Sequence, residues 1–123
     1  MKDVIVINVL PKPIYEDCRI KDSISVPLGQ LPEYAKQLPK DQLIVVYCAH
    51  SLCEASRRAW KVLHNMGFTN VKAYEGGMAE WNQKGYPVEG ACQESYLKKE
   101  LTKPPHSDAE QISAEQLKNL LYT

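Results

Sequence analysis

The sequence between residues 43 and 63 constrains the fold of this chain more than any other stretch. It opens with an apolar, β-branched run, LIVVY, which is typical of a strand buried on both faces. Cys48 follows this run directly, and Cys53 lies in the short loop after it. From Glu54 onward, apolar residues recur at helical spacing. The stretch is therefore predicted to form a strand, a loop that carries two cysteines, and a helix.

The predicted position of Cys48 has chemical consequences. In an open α/β sheet, ligands bind beyond the carboxyl ends of the strands, where Cys48 is expected to lie. The N–H groups of the loop and of the first helical turn direct positive partial charge at this point. A thiol there is expected to have a lowered pKa, and the thiolate is the nucleophile. The alternative is that Cys48 is a small buried hydrophobe at a strand end.

Short strands and helices alternate through most of the chain. Apolar runs predict further strands at residues 4–9, 24–27 and 71–74. Helical spacing predicts helices at residues 28–38 and 79–84. This alternation predicts a parallel sheet that is covered by helices on both faces, within one domain.

The character of the sequence changes at about residue 90. Residues 1–90 are predicted to form the domain, and residues 91–123 a C-terminal extension with a proline-containing linker and an amphipathic helix. Ser113 and Gln116 have the spacing of a capping box at the start of that helix. Its apolar face is expected to dock on this domain or on a neighbouring one.

Composition excludes several classes of function. The chain has 15 basic and 15 acidic residues, so its formal net charge of zero gives no electrostatic case for nucleic acid. No apolar run approaches the roughly 18 residues of a membrane span, and the start is too short for a signal peptide, so a cytoplasmic location is predicted. The four cysteines are then expected to be reduced thiols, either functional or inert, rather than a disulfide framework. They follow no zinc-ligand spacing, and no metal or cofactor is predicted.

Three segments carry a resemblance to a known family: RIKDSISVPLGQL, VVYC, and GFTNVKAYEGGMAEWNQKGYPVEG. With these segments, the chain resembles a rhodanese-like (sulfurtransferase) domain. The resemblance implies a doubly wound parallel sheet of about five strands with helices on both faces. It also implies that Cys48 accepts sulfane sulfur as a persulfide. The implied partners are a small sulfur donor (thiosulfate, a persulfide or polysulfide) and a thiol or protein acceptor.

The cysteine loop departs from the pattern of this family. Sulfurtransferases usually carry Cys-x-x-Gly-x-Arg followed by serine, but here the glycine is missing and Ala55 stands before Ser56 in place of the arginine. Without that fixed cation, efficient use of thiosulfate is not expected. A phosphatase would also need an arginine, and Glu54 occupies the position that a Cys-x5-Arg spacing requires. Counting from Cys53 instead would place Arg58 at the sulfurtransferase spacing.

The predicted site consists of the loop and its edge. Besides the two cysteines, the residues predicted to form the loop and bind substrate are Ala49, His50, Ser51, Leu52, Glu54, Ala55, Ser56, Arg57 and Arg58. The residues predicted at the edge of the site are Cys18, Arg19, Gly76 and Gly77. His50 either bonds a thiolate or is a solvated surface residue, and the two arginines either steer anions or form a charged surface. Cys92 is interpreted as incidental.

Cys53 leaves three interpretations open. It resolves a persulfide or sulfenate on Cys48 by forming a disulfide, it relays sulfur itself, or it fills the inner face of the loop. Three hypotheses for the whole chain follow. The first is a sulfurtransferase and persulfide carrier; the second is a thiol–disulfide redox protein; the third is an inactive rhodanese fold used as a binding or regulatory module. The sequence leaves the oligomeric state open.

Overall fold

The computed structural model describes residues 4–103 and 107–122 of the chain. Its strands are β1 (Val4–Asn8), β2 (Arg19–Ile20), β3 (Ile24–Ser25), β4 (Leu43–Tyr47), β5 (Val71–Tyr74) and β6 (Val88–Glu89). Its α-helices are α1 (Lys12–Asp17), α2 (Leu31–Ala35), α3 (Ala55–Asn65), α4 (Gly77–Gln83) and α5 (Ala114–Tyr122). Two 3₁₀ turns, Leu28–Gln30 and Ser95–Lys98, complete the described elements.

A parallel sheet with the strand order β3-β1-β4-β5 forms the centre of the molecule. The α/β class is confirmed, but among the described residues this sheet has four strands rather than about five. At the position of a fifth strand, a single parallel bridge joins Gln111 to Ala73 beside β5. The short strands β2 and β6 pair with each other in an antiparallel ribbon.

Alternating side chains of the central strands feed two separate apolar cores. Ile7 and Val46 point to one face, where α2 and α3 pack, and belong to the first core. Val6 and Val45 point to the other face, which α4 and α5 cover, and belong to the second core. Because successive side chains of a strand face opposite ways, an uninterrupted apolar run fills both layers. The predicted helices on both faces are therefore present.

The helix predicted at residues 28–38 is divided. A 3₁₀ turn covers Leu28–Gln30, and α2 then runs only from Leu31 to Ala35, with Pro32 in its first turn. Proline fits the first turn of a helix because its missing N–H has no intrahelical partner there. A new helix start at Pro32 therefore replaces one continuous helix.

The C-terminal segment lies along the free edge of β5. Ala73 N–H donates to the carbonyl oxygen of Glu110 (2.7 Å), and Ile112 N–H donates to that of Ala73 (3.1 Å). The predicted capping box is present, since Gln116 N–H donates to Ser113 Oγ (3.1 Å) and Ser113 N–H to Gln116 Oε1 (3.0 Å). α5 then packs its apolar face into the second core.

A disulfide between Cys18 and Cys92 joins the end of α1 to the segment after β6. Their Cα atoms lie 4.5 Å apart across a sequence separation of 74 residues. Cys18 is fully buried, and Cys92 N–H also donates to the carbonyl oxygen of Asp17 (2.7 Å). The expectation of reduced thiols and the interpretation of Cys92 as incidental are therefore wrong for this pair.

In the described part of the chain, no helix has the length and apolar character that a membrane crossing requires. The cytoplasmic location stays a prediction.

The packing of α5 generates a test of its contribution to stability. Leu117 is fully buried and Leu120 is 38% exposed on the same helix. Leu117→Ala is expected to lower the free energy of unfolding by about 2–5 kcal/mol, because it leaves a cavity in the second core. Leu120→Ala is expected to change it by about 0.5 kcal/mol or less. Urea denaturation of both variants measures this difference, and equal losses would contradict the docking of α5.

Candidate active site

The cysteine loop, residues 48–54 between β4 and α3, leaves the carboxyl end of β4, the second of the two central strands. Cys48, its first residue, is 1% exposed, because β1 and β5 flank β4 on both sides. Within the loop, Cys53 N–H donates to the carbonyl oxygen of His50 (3.0 Å), and Leu52 N–H donates to His50 Nδ1 (3.2 Å). These two bonds turn the chain back toward the strand end.

This turn brings the two loop cysteines together. The structure joins Cys48 and Cys53 as a disulfide, with their Cα atoms 6.5 Å apart. The expectation of reduced thiols is therefore wrong for this pair too, whereas their proximity is what a resolving role for Cys53 requires. Cys53 is partly exposed, so the pair can be reached by a second reactant from its side.

The sulfur of Cys48 is surrounded by oxygen atoms. Ser56 Oγ and the carbonyl oxygen of Cys53 each lie 3.6 Å from Cys48 Sγ, and the carbonyl oxygen of His50 lies at 4.0 Å. Ser56 is 1% exposed in the first turn of α3. Its hydroxyl can donate a hydrogen bond to a reduced Cys48 sulfur, which would favour the thiolate.

The first turn of α4 holds the backbone of the loop. Met78 N–H donates to the carbonyl oxygen of Cys48 (2.9 Å), and Ala79 N–H donates to that of Ala49 (2.8 Å). Gly77 has a φ of +73°, and a Cβ built on it would lie 2.8 Å from Cys48 O and from His50 N. Gly76 precedes the helix and packs on the Glu80 side chain. Only glycine at position 77 allows this approach.

The two arginines at the start of α3 are both paired with carboxylates. Arg57 Nη1 lies 3.2 Å from Glu75 Oε1 and donates to the carbonyl oxygen of Ser51 (3.3 Å). Arg58 pairs with Glu54 (3.1 Å) on the exposed side of the helix. The hypothesis of a charged solvent-facing surface thus describes Arg58, while Arg57 faces inward.

The remaining loop residues differ in exposure. Ser51 is buried, and its Oγ lies 2.9 Å from Thr102 Oγ1, whereas Leu52 is half exposed. Ala49 and Ala55 pack partly buried against the first core. Burial, together with the positive charge of Lys99, lowers the pKa of the His50 imidazole. His50 is therefore expected to be neutral at physiological pH.

Two residues predicted at the edge of the site have other partners. Cys18 belongs to the second core and to the disulfide with Cys92. Arg19 pairs with Glu89 (3.7 Å) and lies over the ring of Tyr15. Among the described residues, none of these contacts involves the cysteine loop. Cys18 is thus held by a partner 74 positions away in the sequence, and its place at the edge of the site stays a prediction.

Three residues at the site were missed by sequence reasoning: Glu75, Thr102 and Ser107. Glu75 is 2% exposed and lies directly after β5, so a carboxylate next to paired glycines at a strand end was the available indication. Ser107 Oγ donates to Glu75 Oε2 (2.9 Å). Thr102 and Ser107 lie in the predicted linker, where no pattern marks them.

No metal centre is assigned at this site. Across residues 4–103 and 107–122, no group of three or more histidine, cysteine or acidic side chains is placed to hold a metal ion.

Comparison with known proteins gives the same family for most of the chain. The sequence model described as "Rhodanese-like domain" matches residues 1–84. Thiosulfate sulfurtransferase GlpE of Coxiella burnetii is 26% identical over 80 residues, which cover 65% of this chain and 73% of that protein. The BH2092 protein of Bacillus halodurans superimposes with a TM-score of 0.67 and 30% identity, covering 73% of this chain and 66% of that one.

A further relative is longer than this chain. The HTH-type transcriptional regulator Rv0324 of Mycobacterium tuberculosis is 32% identical over 90 residues. These residues cover 72% of this chain but only 39% of the regulator.

The contact of Gly77 with the loop generates a matched pair of substitutions. Gly85 has nearly the same φ, +74°, but a Cβ there would meet nothing within 4 Å. Gly85→Ala is expected to cost about 1–2 kcal/mol of stability for the left-handed backbone alone. Gly77→Ala is expected to cost clearly more, since its Cβ must also displace the loop backbone. Urea denaturation tests this, and equal losses would show that α4 does not hold the loop.

Proposed function

The chain belongs to the rhodanese-like domain family, and on this premise we propose that it is a sulfurtransferase that carries sulfane sulfur as a persulfide on Cys48. The observation that carries the proposal is the position of this cysteine. It lies at the carboxyl end of a central parallel strand, where open α/β sheets bind their ligands. The similarity to the thiosulfate sulfurtransferase GlpE supports the reaction class.

The proposed reaction has two displacements on sulfur. The reduced Cys48 thiolate attacks the outer sulfur of a donor persulfide, so that a bond forms from Sγ to that sulfur. The sulfur–sulfur bond of the donor breaks, and the donor leaves as a thiolate. A thiol acceptor then attacks the terminal sulfur of Cys48 and takes it away, which restores the Cys48 thiolate. Ser56 Oγ, 3.6 Å from Cys48 Sγ, supports the anionic sulfur in both steps.

When no acceptor thiol takes the sulfur, Cys53 is proposed to resolve the persulfide. Its thiolate attacks Cys48 Sγ, the bond to the terminal sulfur breaks, and that sulfur leaves as hydrosulfide. The product is the Cys48–Cys53 disulfide, which an external thiol must reduce before the next turnover. The proximity of the two cysteines in the structure supports this role.

The charges around the loop favour a donor of low charge. Thiosulfate is a dianion that needs fixed cations, but Arg57 is paired with Glu75, and Arg58 with Glu54. Lys99, whose charge acts on His50, is exposed to solvent, where its charge is screened. The lowered pKa of His50 leaves that side chain without charge as well. A small persulfide or polysulfide therefore fits the site better than thiosulfate.

A thiol–disulfide redox role is the second candidate function. The observation that favours it is the same Cys48–Cys53 disulfide, because such a pair can exchange electrons without carrying sulfur.

Intact mass separates these two functions. We expect the reduced Cys53→Ser variant to gain one sulfur atom, about 32 Da, on Cys48 after brief treatment with cysteine persulfide. Wild type is expected to lose two hydrogen atoms instead, about 2 Da, and to release hydrosulfide. Cys48→Ser is the control and should gain no sulfur at the loop. If Cys53→Ser gains none from any donor while wild type still forms the disulfide, the redox function is favoured over sulfur transfer.

The preference for a sulfur donor is tested by placing an arginine at position 55, where sulfurtransferases usually carry one. In the Cys53→Ser background, Cys48 is expected to take sulfur from thiosulfate at least about tenfold more slowly than from cysteine persulfide. Ala55→Arg is expected to raise the thiosulfate rate by about tenfold, since one charge-assisted hydrogen bond contributes that much. The persulfide rate should stay within about twofold. Equal rates for the two donors without the added arginine would contradict the proposed preference.

A further inference from the structure

A buried ion pair links the start of α3 to the turn after β5. The side chain of Arg57 is 14% exposed and that of Glu75 is 1% exposed, with Nη1 3.2 Å from Oε1. The second carboxylate oxygen of Glu75 accepts a hydrogen bond from Ser107 Oγ (2.9 Å), and Ser107 Oγ in turn accepts one from Ala109 N–H (3.2 Å). Buried charges are costly unless such partners satisfy them, and here both are satisfied.

The same arginine holds the middle of the cysteine loop. Arg57 Nη1 donates to the carbonyl oxygen of Ser51 (3.3 Å), which lies between the two cysteines in sequence. The side chain of Ser51 is fixed separately, by Thr102 (2.9 Å). The centre of the loop is thus attached at its backbone through an ion pair and at its side chain through a hydroxyl.

Ser51 lies between the two cysteines, so a shift of its backbone would change the distance between them. The Cα atoms of these cysteines are 6.5 Å apart, close to the upper end of the range of about 4.4–6.8 Å in which disulfides form. Beyond about 7 Å, two cysteines are not bridged without movement of the backbone. A small outward shift of the loop at Ser51 would therefore separate the pair.

We propose that Arg57, oriented by Glu75, is a positioning residue that sets the approach of Cys53 to Cys48. It holds the loop in the one shape in which the Cys53 thiolate can attack Cys48 Sγ, with hydrosulfide leaving from a persulfide or a thiolate leaving from a mixed disulfide. The proposal rests on the proposed function in that Cys48 is taken as the sulfur-bearing thiol. Disulfide formation by the pair can be measured without sulfur transfer.

The test measures the equilibrium between the Cys48–Cys53 dithiol and its disulfide in glutathione buffers. Two reduced glutathione molecules convert the disulfide to the dithiol and become one oxidised glutathione. We expect Arg57→Gln and Glu75→Gln to lower the constant for disulfide formation at least about tenfold. Arg58→Gln makes the same chemical change one residue away, in an exposed ion pair, and should stay within about twofold. Thiol trapping with peptide mass analysis reads Cys18–Cys92 separately as an internal reference.

If Arg57→Gln does not fold, the same equilibrium is measured with a milder pair of substitutions. Arg57→Lys keeps the charge but replaces the planar guanidinium, whose Nη1 contacts both Glu75 and Ser51, by a shorter-reaching ammonium group. It is expected to lower the constant by about threefold, less than Arg57→Gln, whereas Arg58→Lys should not change it.

Two results would overturn the proposal. One is equal constants for the Arg57 and Arg58 variants. The other is a parallel fall for Cys48–Cys53 and Cys18–Cys92, which would mean a general loss of structure. Sulfur loading of Cys48 in the Cys53→Ser background is measured alongside. If Cys48 takes up sulfur but the Arg57 variants leave the constant for disulfide formation unchanged, the positioning role alone is refuted. If the Arg57 variants lower that constant but Cys48 takes up no sulfur, the proposed function alone is refuted.

Discussion

The hydrogen bonds from the first turn of α4 to the carbonyl oxygens of Cys48 and Ala49 hold the backbone of the cysteine loop in its place. A loop that leaves a buried strand carries backbone carbonyl groups that need partners. The N–H groups of a helix start supply them, because no residue of the helix can bond them itself. This arrangement requires β4 and β5 to end at the same edge of the sheet and requires glycine at position 77. The parallel pairing of Tyr47 with Tyr74 provides the first condition.

Charge is the second constraint on the site. Each arginine near the loop has a carboxylate partner, and the burial of His50 disfavours its protonated form. A cation that is neutralised in this way cannot also bind a small dianion without breaking its ion pair. The guanidinium of Arg57 instead holds the backbone of the loop, because its Nη1 donates to the carbonyl oxygen of Ser51 as well as to Glu75. The Arg57–Glu75 pair thereby adds a contact that holds the backbone of the loop.

The fold and the loop could largely be predicted from the sequence, because both depend on local patterns. The apolar run of β4 and the capping box of α5 need no knowledge of distant residues. The Cys18–Cys92 disulfide could not be predicted, since no spacing rule connects cysteines 74 residues apart. The buried partner of Arg57 was missed for the same reason. Glu75 meets it only because β5 lies beside β4, and sequence patterns do not report such tertiary contacts.

The C-terminal segment belongs to the framework of the site. Glu110 and Ile112 bond to Ala73 at the edge of β5, two residues before Glu75. Ser107, a few residues earlier, holds the Glu75 carboxylate, which in turn orients Arg57 toward the loop. These contacts cross the boundary that composition predicts at residue 90. A segment that pairs with the sheet edge and buries a helix in the core can hold Ser107 in one place, which a free linker could not do. The shape of the cysteine loop therefore depends on contacts made some fifty residues later in the chain.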